Sequence, residues 1–124
     1  MTHKADSIEM RTTMGGCFKR CLGGESMFQI IWTNKGQGHA DIALAPTYPA
    51  KIIPIDLGKN GPITLHPGSY LAHLGNVHLT YKFVRNLGAM CCGGAGMLLL
   101  KVTGNGIVFI NGGGEFIFFI FSNL

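Results

Sequence analysis

Short apolar runs separated by glycine, asparagine and proline recur along the chain, at 27–33, 39–45, 51–57, 63–66, 70–73, 77–83, 97–102, 107–110 and 115–121. Runs of this length, rich in β-branched and aromatic residues and bounded by turn formers, predict strands. Nine of them predict an all-β fold of antiparallel sheets. The connectors Asn34-Lys35-Gly36, Gly58-Lys59-Asn60-Gly61-Pro62, Gly75-Asn76 and Gly104-Asn105-Gly106 each hold a residue that accepts positive φ, so they read as hairpin turns. Pro46, Pro49 and Pro54 bring no N–H to a ladder, which places 45–57 at an edge or corner. Residues 1–14 read as a partly disordered N-terminal segment, and 15–124 as a single β domain.

The pattern also echoes itself. Residues 21–33 align with 91–103 at a constant offset of 70, with identities at Cys21/Cys91, Gly23/Gly93, Gly24/Gly94 and Met27/Met97. Each copy runs from a glycine pair into an apolar strand, as one supersecondary unit used twice would.

Composition narrows the classes. The 124 residues are 47% hydrophobic and 13% charged, a balance that demands a core and argues against disorder. Nineteen glycines, many in pairs and triples, argue against long helices. The net charge of +4 is spread thinly, with Lys19-Arg20 as the densest basic cluster, which is too little for a nucleic-acid or lipid patch by itself. No stretch reaches the ~18 consecutive apolar residues of a spanning helix, so no membrane span is expected. Residues 1–10 are polar and include Asp6 and Glu9, so no targeting signal is visible. Taken alone, the chain reads as cytoplasmic.

Candidate chemistry is sparse. Cys17 and Cys21 have a spacing compatible with zinc, but the adjacent Cys91 and Cys92 chelate poorly, and without a secretion signal all four read as reduced thiols. His66, His73 and His78 form the nearest approach to a metal set and the basis of a metal-dependent β-barrel enzyme as an alternative. They lack a His-x-His pair and a nearby acid, and His73 and His78 are placed to face each other across a hairpin. Ser26 and Ser69 sit beside glycine but in no Gly-x-Ser-x-Gly elbow, and Glu25 and Asp41 are not brought together by any spacing. The glycine clusters carry no phosphate-loop lysine. No cofactor and no catalytic residue are expected. The segment Tyr81-Lys82-Phe83-Val84-Arg85 interleaves aromatic and basic residues, which makes an RNA-binding module the other alternative, with Tyr81, Lys82, Phe83 and Arg85 as contacts. Trp32, inside an apolar strand, is expected in the core.

Several motifs in order resemble a known family. Gly15-Gly16, then Gly23-Gly24-Glu25-Ser26 leading into Met27-Phe28, open the series. Ala43-Leu44-Ala45-Pro46, Ile53-Pro54-Ile55-Asp56-Leu57 and Pro67-Gly68-Ser69-Tyr70 follow. Gly93-Gly94-Ala95-Gly96-Met97 and Gly104-Asn105-Gly106-Ile107-Val108-Phe109 complete it. Together they resemble the altered inheritance of mitochondria (mitochondrial biogenesis) family. The resemblance implies the fold of the tryptophan RNA-binding attenuation protein, antiparallel sheets in a barrel or prism-like arrangement with internal pseudo-symmetry. It also implies a mitochondrial location and a non-catalytic scaffold or assembly role. Partners would be proteins, or a second copy of the chain held through β edges, giving a homo-oligomer. Against that family the chain reads as a truncated member with an incomplete fold. The run 116–121 lacks polar alternation and reads as a buried central strand, a misplaced coding boundary or an exposed aggregation-prone edge.

Overall fold

The computed structural model describes residues 8–14, 28–84 and 97–120. The chain divides into two compact units, Met1–Ala43 and Leu44–Leu124.

In the first unit, β1 (Ile8–Met14) pairs antiparallel with β2 (Phe28–Asn34), in register from Ile8↔Asn34 to Met14↔Phe28. β1 was not among the expected strands, although Ile8-Glu9-Met10-Arg11 alternates as a strand should. The Asn34 carboxamide organises the turn that follows: its oxygen accepts from the Gly36 N–H at 3.0 Å and its nitrogen donates to the Gly38 carbonyl at 2.8 Å. Glu9 pairs with Arg11 and Lys35. Trp32 is 42% exposed, not in a core as expected, and Met10, Ile30 and Ile31 are also exposed. Two paired strands by themselves offer no second layer against which an indole could be covered. The expected strand at 39–45 is irregular chain.

The second unit contains β3 (Lys51–Asp56), helical turn α1 (Leu57–Asn60), β4 (Ile63–Leu65), a 3₁₀ turn (Pro67–Ser69), β5 (Tyr70–Val84) and β6 (Met97–Gly112). β6 is the common partner: β5 lies along one side, and β3 and β4 follow one another along the other, all antiparallel. The all-β, antiparallel architecture is therefore as expected, but the sheets are open and close into no barrel. Physically, β3, β4 and β5 each use one edge on β6 and, among the described strands, pair with nothing else. Pro54 lies on an edge strand, where its missing donor costs no ladder bond.

Four of the expected short strands are two long ones. Gly75-Asn76 and Gly104-Asn105-Gly106 do not turn the chain; they face each other in mid-ladder, Gly75 opposite Gly106 and Asn76 opposite Asn105. Gly75 and Gly104 have φ of 88° and 116°, conformations that other residues rarely adopt. A Cβ at Gly104 would lie 2.2 Å from the Asn76 carbonyl oxygen, and one at Gly106 would lie 2.2 Å from that of Leu74. The glycines thus form a step in a continuous ribbon.

Either side of this step, the even-numbered residues of β6 face inward. Leu100 and Val102 from one side, Val108 from the other, and Leu57 from α1 make a single buried cluster. Val102 and Val108 are 0% exposed. α1 sets Leu57 in place because the Asp56 carboxylate accepts from the Gly58 N–H at 2.9 Å, and the Gly61 N–H, with φ 75°, returns to the Leu57 carbonyl at 2.9 Å. Of the internal echo, the described parts are 28–33 in β2 and 97–103 in β6. Both are strands, but among the described strands one has a single neighbour and the other is central to its sheet. Beyond β6, residues 115–120 form no strand and Ile120 is 98% exposed, which removes the buried-strand reading of that run.

Candidate functional site

The polar groups of the second unit gather where β5 begins. His66 precedes the 3₁₀ turn, and its Nδ1 accepts from the Gly68 N–H at 3.2 Å. A Cβ at Gly68 would approach that ring atom to 3.3 Å, so glycine keeps the turn tight. Pro67 suits the first turn position, and the Ser69 N–H closes it on the His66 carbonyl at 2.9 Å.

At the start of β5 the register shifts between Tyr70 and Ala72, leaving Leu71 as an extra residue opposite β6. The bulge places Tyr70, opposite Ile110, on the same face as His73, opposite Val108, although the two are three residues apart. The Tyr70 hydroxyl and His73 Nδ1 lie 2.6 Å apart. Burial, helped by the neighbouring Tyr81, pushes the Tyr70 hydroxyl up to about 12. Burial also lowers His73 below its ordinary value, so near neutral pH the imidazole is uncharged beside a protonated phenol.

Near the end of β6 lies Asn111, 5% exposed and the one buried polar side chain among the described residues. Its oxygen accepts from the Tyr48 hydroxyl at 3.0 Å, and its nitrogen reaches the Ser69 carbonyl at 3.4 Å. One amide therefore ties the loop before β3, the 3₁₀ turn and the end of β6. Nothing in the sequence marked Tyr48 or Asn111. The only available signal was an asparagine leading a glycine triple, which reads equally well as a turn.

The histidine set does not assemble. His73 and His78 lie on one strand, not across a hairpin, because Gly75-Asn76 is mid-strand. His66 is engaged in its turn, and among the described residues no three His, Cys, Asp or Glu side chains converge as metal ligands would. Of the aromatic-basic segment, Tyr81 packs against the core cluster and is not displayed for stacking, whereas Lys82 is exposed. Phe83 is opposite Leu98 in β5. Arg85, the glycine motifs at Gly15, Gly16, Gly23, Gly24, Gly93 and Gly94, Glu25, Ser26 and the four cysteines lie outside the described residues.

The outward face of the sheet is divided at the glycine step. On one side, Thr64, Lys101 and Thr80 form a row across three strands, flanked by His78 and Lys82. On the other side, the rows Asp56–Ile107–Leu74 and Pro54–Phe109–Ala72 make a surface that is apolar apart from the Asp56 carboxylate at its margin. Leu74 is 61% exposed, and Ile52 and Ile107 are exposed as well.

Residues 1–120 match the family model described as mitochondrial biogenesis AIM24. The chain is also similar to an uncharacterised protein of Streptococcus pyogenes serotype M6, with 34% identity over 91 residues. That alignment covers 73% of this chain and 35% of the relative, so the chain spans about a third of the relative's length. No solved structure matches.

Proposed function

The chain belongs to the mitochondrial biogenesis AIM24 family, and on that premise we propose that it is a scaffold or assembly factor that holds partners through β-sheet surfaces and performs no chemistry of its own. The observation that carries this reading is the apolar half of the outward face, where Leu74, Ile107, Phe109 and Pro54 adjoin across three strands. A contiguous apolar surface held in the open on an ordered sheet is a feature of contact sites, whereas single exposed apolar side chains are not. Mitochondria are the expected site of action from the family.

The test is complementation of cells lacking the protein with Leu74→Lys and Ile107→Lys. Both side chains are exposed, so the variants are expected to fold, by circular dichroism, and to fail in complementation. Full complementation by both, or turnover of a small substrate by the pure wild-type protein, overturns the reading.

A second reading, RNA binding, draws on the exposed Lys82 and Lys101, neither of which meets a carboxylate among the described residues. It predicts an RNA affinity that falls steeply with salt. A flat titration at low salt removes it.

A further inference from the structure

We propose that Asn105 is a site of spontaneous deamidation, a covalent modification that sets a permanent negative charge at the glycine step of the sheet. The described chain contains three Asn-Gly pairs, Asn60-Gly61, Asn105-Gly106 and Asn111-Gly112. A glycine after asparagine leaves the following backbone nitrogen unshielded, so it can reach the carboxamide carbon. In each pair the fold itself calls for the glycine. Gly61 has a φ of 75°, a Cβ at Gly106 would lie 2.2 Å from the Leu74 carbonyl oxygen, and one at Gly112 would lie 2.9 Å from the Phe116 ring.

The three asparagines differ in how they are held. Asn60 Nδ2 donates to the Asp56 carbonyl at 2.9 Å, and the Gly61 N–H is engaged by the Leu57 carbonyl. Asn111 is buried, with its oxygen bound by Tyr48 and its nitrogen directed at Ser69. Asn105 is exposed, and its side chain makes no hydrogen bond among the described residues. It also stands between Gly104 and Gly106, where the backbone is least restrained and a local opening frees the Gly106 nitrogen most readily.

In the reaction the Gly106 nitrogen bonds to Asn105 Cγ and the Cγ–Nδ2 bond breaks. The side-chain nitrogen leaves as ammonia, carrying its own two hydrogens and the one lost by Gly106. Water then opens the cyclic imide. Cleavage between Cγ and the Gly106 nitrogen gives aspartate, cleavage at the former backbone carbonyl gives isoaspartate, and nothing is oxidised or reduced. A Cβ at Gly58 would lie 3.0 Å from Asn105 Oδ1 and 3.1 Å from Asp56 Oδ1, so these two oxygens flank the same glycine. The product carboxylate therefore faces that of Asp56, which caps α1 and sets Leu57 in the core. Like charges at that distance repel and weaken the cap.

The test is peptide mapping by mass spectrometry on the full chain, aged in mildly alkaline buffer both folded and in urea. In the folded chain Asn105 should convert faster than Asn60 and Asn111 by on the order of tenfold or more, because a held amide must first open. Its product should be a mixture of aspartate and isoaspartate, the latter labelled by an isoaspartyl methyltransferase. In urea the three rates should converge. Asn105→Gln, whose longer side chain must close a larger ring, should fold as wild type by circular dichroism and lose the conversion at 105. Asn60 or Asn111 converting as fast as Asn105 in the folded chain, or an Asn105 that converts only in urea, overturns the proposal. Asn105→Asp reads the consequence: its urea midpoint should fall below that of wild type at neutral pH, and the difference should vanish in an Asp56→Asn background, which keeps a capping side chain. An unchanged midpoint overturns the coupling to α1.

Discussion

The ribbon of β1 and β2 and the sheet built on β6 use the same residue types, yet among the described residues only the sheet has a core. In the ribbon Ile30, Ile31 and Trp32 are exposed; in the sheet Leu100, Val102 and Val108 are buried. The difference is geometric. A third strand on β6 widens the sheet, and the step at Gly75, Gly104 and Gly106 lets residues on either side of it, together with Leu57, converge on one cluster. Hydrophobicity alone does not make an interior; a surface must be able to turn back on itself.

The strongest way to break the contrast is to remove the step. Gly104→Val and Gly106→Val each drive a side chain into a carbonyl oxygen, and Gly104 also has positive φ. Either is expected to cost at least about 3 kcal/mol in the sheet, read as loss of the cooperative transition in urea. Next come the core truncations: Leu100→Ala should cost about 2–5 kcal/mol, whereas Ile31→Ala in the ribbon should cost under about 1 kcal/mol. Equal effects would mean that the ribbon is buried in use.

The Tyr70–His73 pair sharpens the contrast through pH. Tyr70 is raised from 10.0 to about 12, so the folded state favours the neutral phenol. Its contribution is present below pH 10 and lost as pH rises through about 12. His73 is lowered from 6.5, so its contribution is present above that value and lost as pH falls through its folded pKa. Stability should therefore form a plateau between these limits, and Tyr70→Phe should remove the alkaline loss. Tyr48→Phe, which frees one side of the buried Asn111 amide, should cost about 1 kcal/mol. Smallest is Lys51→Ala. The Lys51–Glu115 pair is exposed on both sides, so its loss should shift stability by no more than about 1 kcal/mol.

Much of the strand content was legible because alternation and turn chemistry are local. β3, β4 and β2 lie close to their expected bounds, and Pro54 marked its edge. The long strands were divided because Gly-Asn and Gly-Asn-Gly have the same chemistry whether they reverse a chain or bend one, and only the pairing partner distinguishes the two. Trp32 was misplaced for a related reason: its strand is apolar, but burial depends on a covering layer that sequence does not specify. The His73–Tyr70 contact was hidden by the Leu71 bulge, since i and i+3 in a regular strand point to opposite faces. Asn111 depends on Tyr48 and Ser69, which are distant in sequence, and no spacing rule connects them.

The position of β6 has a consequence for the order in which the protein can be made. β3, β4 and β5 all pair with β6, the last strand of the described chain, and Lys51 waits for Gly112. During synthesis these earlier segments leave the ribosome with their apolar faces bare and no strand to join. The sheet can be completed only once residue 112 has emerged, so its pairing is set by contacts distant in sequence, which form slowly.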